Sequence, residues 1–218
     1  MTALAPTLIE TVRVIGGRAP LWPLHRTRLG ASAAALGISV LPMDPPWGGE
    51  DRVVRFSVTD GAVRTAERPV GPGDPLAFVS SGAVHRGYPH KVAARAWLNA
   101  EGLLARAGGA DDAIMLDAEG MVVEATIWAI GWWEGERLVF PPLARGGLPS
   151  VARARLAELV RGGIGEADLP VEEASRRPLV ACNAARGVVT VAALDGLGVP
   201  SNHRTSAIAA RFWDRDSA

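Results

Sequence analysis

Apolar and polar positions along the chain fall into a succession of short patterns. "TLIETVRVIGGRAPLW" reads as two strands, residues 8–15 and 18–22, around a Gly-Gly turn. "PLHRTRLGASAAALGI" follows with apolar residues at helical spacing, and Gly37 is placed to cap it. "LPMDPPWGGED" is loop, and "RVVRFSVTDG" alternates as a strand that turns at Asp60-Gly61. "GPGDP" at 71–75 marks a linker or surface turn. From Lys91 the pattern becomes that of a helix, "KVAARAWLNAEGLLARAGG". "DDAIMLDAEGMVVEATIWAIGWWEGERLVFP" then supplies several strands, separated by turns at Glu119-Gly120 and Glu134-Gly135. "LPSVARARLAELVRGG" is a short helix opened by Pro149-Ser150 and closed by Gly162-Gly163. A strand pair, "PLVACNAARGVVTVAALDG", and a last helix, "SNHRTSAIAARFWDRD", complete a mixed α and β chain without internal repeats. The pattern predicts two lobes, 1–84 and 85–218, with the boundary region near 71–90.

Composition narrows the classes. With 218 residues the chain is one large domain or two small ones around a shared cleft. Its 48% hydrophobic and 21% charged residues are those of an ordinary folded protein. Twenty-three acidic residues balance 23 basic ones, so no net field draws the chain to nucleic acid or to an anionic membrane. "MTALAPTLIE" lacks the basic start and apolar run of a secretion signal, and the most apolar stretch, 121–133, is short and interrupted by Glu124. A single cysteine, Cys182, cannot form an internal disulfide. Set in the apolar run "PLVACNAA", it reads as a buried structural thiol. These features predict a soluble, cytoplasmic protein. The histidines His25, His85, His90 and His203 show no metal-ligand spacing, so no metal site is expected.

One residue changes the picture. Lys91 is the only lysine, beside 22 arginines among the 23 basic residues. A guanidinium stays charged at any workable pH, whereas a desolvated lysine can lose its proton and act as a nucleophile. Chance survival in an arginine-rich composition is the competing reading. A second anomaly is Glu124, a carboxylate inside the apolar strand "GMVVEATIW", where burial is costly without a cation.

Taken in order, "LIETVRV-GGR", "LHRTRLGASAAALG", "HKVAAR", "LDAEGMVVEAT", "LPSVAR" and "ACNAARGVVTV" resemble the class IV pyridoxal-phosphate aminotransferase family. The likeness runs from about residue 8 to 195, and its "His-Lys-x-x-x-Arg" and "CNA" pieces are most similar to 4-amino-4-deoxychorismate lyases. The resemblance implies an α+β, two-lobed D-amino-acid-aminotransferase-like fold. It has a small N-terminal α/β lobe and a larger, β-rich C-terminal lobe that carries the helices and the cofactor. It implies pyridoxal 5'-phosphate as cofactor, a small amino-acid-like substrate and a homodimer.

The resemblance also assigns roles. Lys91 would form the Schiff base with the cofactor and move protons on the substrate. Glu124 would pair with the pyridine nitrogen. Arg28 would hold the phosphate, with the backbone of Val151 and Ala152 at a helix N-terminus and that of Asn183 and Ala184 beside it. Leu148 would lie against the ring. Bland roles compete at several positions: a solvated arginine at Arg28, an outward strand position at Glu124, a core leucine at Leu148. Arg95, one helical turn after Lys91, is expected on the same face, binding a cofactor or carboxylate or forming a plain salt bridge.

The chain departs from the family pattern in three places. Only seven residues precede Leu8, Trp128-Ala129 replace a small residue and asparagine, and "LPSVAR" has Ser150 and Ala152 where glycine and threonine or methionine are usual. The "His-Lys-x-x-x-Arg" and "CNA" pieces imply the activity of an aminodeoxychorismate lyase, while these departures bear on substrate specificity. The alternatives are an aminotransferase for a branched-chain or D-amino acid and a non-catalytic relative of the same fold.

Overall fold

The computed structural model describes residues 6–40, 45, 47–71 and 75–214. The alternation of "LIETVRV" forms β1 (Leu8–Val14), which pairs antiparallel with β2 (Arg52–Thr59) from Leu8 against Val58 to Val14 against Arg52. β2 returns through Asp60 and Gly61 into β3 (Ala62–Arg68). Both turn residues have positive φ, 40° and 79°, the conformation a two-residue hairpin turn requires. One face of this three-stranded sheet buries Val12, Val54 and Phe56 against Trp22 of α1 (Trp22–Leu36). Gly37 ends α1 in the left-handed region at φ 65°, as its position in the sequence predicts.

The strand expected at 18–22 does not form. Ile15 and Arg18 make a single bridge across the Gly-Gly turn, and the chain enters α1 directly. Pro23 explains the early start, because a residue without an N–H suits the first turn of a helix.

Among the described residues the second sheet has nine strands. They are β4 (Leu76–Val84), β5 (Asp112–Leu116), β6 (Val122–Ala125), β7 (Ala129–Glu134), β8 (Arg137–Phe140), β9 (Gly165–Glu166), β10 (Leu179–Asn183), β11 (Gly187–Leu194) and β12 (Leu197–Gly198). The order is β6-β5-β4-β11-β10-β7-β8-β9, with β12 on β11. β4 lies parallel to both β5 and β11 near the middle of this sheet. The break between the two sheets therefore falls between Arg68 and Leu76. The expected division at 84/85 puts β4 on the wrong side of it. Leu76 and Phe78 are the physical reason, since both are buried in the larger core.

That core has two layers. Phe78, Ile114, Trp132 and Leu179 pack on one face, and Trp133, Phe140, Leu156 and Phe212 on the other, beneath α3 (Val151–Leu159) and α5 (His203–Arg211). Adjacent Trp132 and Trp133 thus point to opposite faces, as strand geometry demands. Both are covered by the chain itself, and Trp133 Nε1 donates to Thr205 Oγ1 at 2.9 Å. α3 ends at Leu159, ahead of the expected Gly162-Gly163 stop. A short α4 (Val171–Ala174) follows β9.

The helix expected from Lys91 starts five residues later, as α2 (Ala96–Ala107). Val92 instead forms an isolated bridge with Leu8. The Ile9 amide donates to the Lys91 carbonyl at 2.8 Å, and the Ala93 amide to the Thr7 carbonyl at 2.8 Å. Pairing with the free edge of β1 outweighs the helical propensity of this alanine-rich stretch.

The expected loop "LPMDPPWGGED" and turn "GPGDP" fall partly on residues 41–44, 46 and 72–74, outside the described residues. Among the described residues no helix is long and apolar enough to cross a membrane.

Candidate active site

The seam between the two sheets opens into a cleft of about 370 Å³. Ile9, Thr11, Arg55 and Arg68 of the smaller sheet form one wall, and Glu124, Thr126, Leu148 and Asn183 belong to the other. Lys91 sits between them.

Lys91 lines the cleft from a backbone that two hydrogen bonds and the Val92–Leu8 bridge tie to the start of the chain's first strand. Burial pulls its pKa down from 10.5 to about 7, helped by the Arg28 and Arg95 guanidinium groups and opposed by Glu10 and Glu124. The uncharged, nucleophilic amine is therefore accessible near neutral pH.

Glu124 is 7% exposed on β6, and both of its oxygens are held. Oε2 accepts from the Leu148 amide at 3.1 Å, and Oε1 lies 3.0 Å from His85 Nε2. The Gly87 amide donates to His85 Nδ1 at 3.1 Å, so the ring proton is on Nε2 and is given to Glu124. The imidazole is packed edge-on against Trp97, with ring centroids 5.1 Å apart. The outward-facing alternative for Glu124 is thereby removed.

Arg28 lines the other end of the cleft, its side chain 10% exposed. Nε donates to Glu10 Oε1 at 2.9 Å, Nη2 donates to Glu10 Oε2, and Nη1 reaches the Pro149 carbonyl at 3.3 Å. It is not a solvated surface arginine. Pro149 immediately precedes α3, whose N-cap is Ser150, with Oγ accepting from the Arg153 amide at 3.3 Å. Ser150 and Val151 line the cleft, whereas Ala152, on the inner side of α3, is fully buried in the core. Asn183 and Ala184 line it too, and Asn183 Oδ1 accepts from the Ala185 and Arg186 amides at 3.0 and 2.8 Å. Leu148 is partly buried on the same wall and contributes its amide to Glu124 as well as its side chain to the cleft.

Arg95 differs from its expected setting. It is the residue ahead of α2, not one turn into a helix with Lys91, yet it still lines the cleft. Its guanidinium donates to the Thr126 carbonyl and to Asn99 Oδ1 at 3.1 Å, and stacks over Tyr88 at 5.5 Å. Among the described residues Arg95 has no salt bridge, and these bonds hold the Thr126–Ile127 wall in place. Cys182 also lines the cleft, but burial pushes its thiol up to about 12, so it is inert.

Sequence reasoning misses Glu10, His25 and His85 as site residues, as well as Arg55 and Arg68 on the facing wall. Glu10 carries the signal that flags Glu124: a carboxylate in the apolar phase of a strand, between Leu8 and Val12. The others carry none, because only tertiary pairing brings Arg55 and Arg68 to the cleft and sets His25 and His85 against Glu10 and Glu124.

The chain is similar to known proteins on the same axis. Residues 76–194, more than half of its length, match the class IV amino-transferase family. The chain belongs to this family. No curated protein sequence matches it. A candidate 4-amino-4-deoxychorismate lyase from Legionella pneumophila superposes with a TM-score of 0.82 at 21% identity, over 95% of this chain and 91% of that one. A branched-chain aminotransferase from Thermoproteus uzoniensis, solved with norvaline, gives 0.81 at 22%, over 95% and 84%. The PLP-bound form of a hypothetical aminotransferase from Mycobacterium tuberculosis gives 0.78 at 20%, over 98% and 89%. These likenesses establish the expected two-lobed fold.

The cofactor of the family is pyridoxal phosphate, and the cleft fits each of its ends. The aldehyde needs an uncharged amine, which Lys91 supplies. The pyridine nitrogen needs a fixed carboxylate, and Glu124 is pinned on both oxygens. The phosphate needs clustered donors, and Arg28 lies against the start of α3.

Proposed function

We propose that this chain is a 4-amino-4-deoxychorismate lyase that releases pyruvate and 4-aminobenzoate, a step of folate synthesis. The observation that carries the choice is the wall facing Glu124. Arg55 and Arg68 line it without an ion-pair partner among the described residues, and this favours a substrate with carboxylates on separate arms. 4-Amino-4-deoxychorismate carries one on its ring and one on its enolpyruvyl group.

When bound, the cofactor supplies an electron sink for charge developing on the substrate carbon. Lys91 Nζ takes the proton from the carbon that bears the amino group. As the ether bond breaks and the ring becomes aromatic, Lys91 returns a proton to the departing enolpyruvyl group. Glu124 keeps the pyridine nitrogen protonated. Arg28, the Val151 amide at the start of α3 and the Asn183–Ala184 backbone would hold the phosphate, and Leu148 would pack on the ring; Ala152, expected to share this role, faces the core instead. Arg55 and Arg68 orient the substrate carboxylates.

A second reading is an aminotransferase for a branched-chain or D-amino acid. Ile9, Ala66 and Ile127 favour it, because they give the cleft an apolar share suited to an aliphatic side chain. One preparation tests both readings. Pyruvate from aminodeoxychorismate supports the lyase, whereas keto acid from a panel of D- and L-amino acids, without pyruvate release, supports the transaminase. A colourless protein that takes up no pyridoxal phosphate supports neither and points to a non-catalytic relative.

We also propose a homodimer. Leu103 and Leu104 stand side by side on α2, 64% and 66% exposed, an apolar pair that one chain leaves in water. Trp132 and Trp133 do not contribute to this case, since both are buried within the chain.

A further inference from the structure

We infer that Glu10 is a positioning residue for the anion end of the cleft: fixed by His25, it grips Arg28 from behind and holds its free edge toward the phosphate site. This inference rests on the reading of Arg28 as the phosphate holder.

The geometry is that of a built clamp. His25 and Arg28 lie one turn apart on α1, so both side chains descend onto the same position of β1. There Glu10, 1% exposed, takes Arg28 on both oxygens, a fork-to-fork pairing that fixes the plane of the guanidinium. His25 Nδ1 closes the cluster at 2.6 Å from Glu10 Oε2. Trp22, a further turn back, lies beside the imidazole with ring centroids 6.5 Å apart. The remaining Arg28 nitrogen, Nη1, is the one nearest α3, at the Pro149 carbonyl.

Charge in the cluster is also settled by burial and contact. Among the described residues His25 Nε2 is buried without a hydrogen-bond partner, so a second proton there would be a buried unpaired donor. Burial accordingly lowers the His25 pKa, although Glu10 pulls the other way. Glu10 is held at about 2, despite its burial, by Arg28 and His25. At neutral pH the cluster therefore holds one carboxylate, one guanidinium and one neutral imidazole. An arginine left free here would have several rotatable bonds to freeze on binding an anion. Glu10 freezes them in advance.

The test separates an action on the phosphate from a general loss of structure. Full-length protein freed of cofactor is titrated with pyridoxal 5'-phosphate, with pyridoxal and with inorganic phosphate, following tryptophan fluorescence. Glu10→Gln is expected to weaken pyridoxal 5'-phosphate and inorganic phosphate about tenfold, the scale of one unfrozen long side chain, and to leave pyridoxal within about twofold. In an Arg28→Met background the same substitution should add nothing, because Glu10 acts through Arg28. His25→Leu, which removes the donor that pins the carboxylate, should give a smaller loss with the same phosphate selectivity. It carries the test if Glu10→Gln does not fold. Equal weakening of pyridoxal and its phosphate, a further loss in the Arg28→Met background, or unchanged or tighter phosphate binding would each overturn the inference. If Arg28→Met itself leaves phosphate binding unchanged, the assignment of Arg28 has failed first.

Discussion

The amide of Ile9 and the carbonyl of Lys91 are joined by a 2.8 Å hydrogen bond. Ile9 belongs to the first strand of the smaller sheet, and Lys91 follows the strand β4 of the larger one. The bond stitches the two sheets together at the residue on which the chemistry depends. A nucleophile whose backbone is tied to β1 does not move with the end of α2, so its Cα keeps its place at the cleft.

Lys91→Ala should abolish the absorbance band of bound cofactor, all fixation by borohydride and all turnover, since no other lysine exists to replace it. Lys91→Arg should do the same, because a guanidinium forms no imine with an aldehyde. Mass spectrometry after borohydride treatment checks both variants. A cofactor adduct at normal stoichiometry in either would place the attachment elsewhere.

Glu124→Gln should leave cofactor bound but lower kcat on the order of 100-fold, as loss of one fixed electrostatic partner does in other sites. Its two contacts sharpen the expectation. A glutamine oxygen can still accept from either His85 or Leu148, so folding should survive while the charge is lost. A kcat within a few-fold of wild type, with cofactor saturating, would show that the carboxylate does not serve the pyridine nitrogen.

What could be read from the sequence follows from what local pattern encodes. β1, β2 and the Asp60-Gly61 turn are legible because alternation and turn chemistry agree there, and Lys91 and Glu124 because each breaks the rule of its surroundings. The segment around Lys91 is misread because "KVAARAW" has helical composition, while its conformation is decided by a strand some 80 residues earlier in the chain. β4 is placed in the smaller lobe by the expected division for a similar reason: one of its parallel partners, β11, lies far along the sequence, and the other, β5, is reached only across α2. Glu10 carries a visible signal, a charge in an apolar phase, but its partners on α1 become neighbours only when the helix packs.

The dimer proposal can be checked by sedimentation at micromolar concentration, which should show a species of twice the 22.8 kDa chain mass. Leu103→Glu together with Leu104→Glu should shift it to monomer while leaving the fold intact, since both side chains already stand in water within one chain. A dimer unaffected by the pair would place the interface on another face.

The lowered pKa of Lys91 makes a prediction about stability that needs no cofactor and no assay of turnover. The unfolded chain holds this proton up to about 10.5 and the folded chain only up to about 7. Between these values the unfolded state binds more protons, so the lysine's penalty on folding shrinks as pH rises and is largest below about 7. Cofactor-free Lys91→Met should therefore be more stable than wild type at pH 6. Its advantage should diminish above pH 7, by at most about 1.4 kcal/mol per pH unit, and by less because water in the cleft reaches part of the side chain. Urea unfolding of both proteins at pH 6, 7.5 and 9 reads the difference directly, because other titrating groups are common to both. A stability gap that does not change with pH would mean that Lys91 keeps its ordinary pKa in the folded protein, and the poised amine on which the proposed chemistry depends would be lost with it.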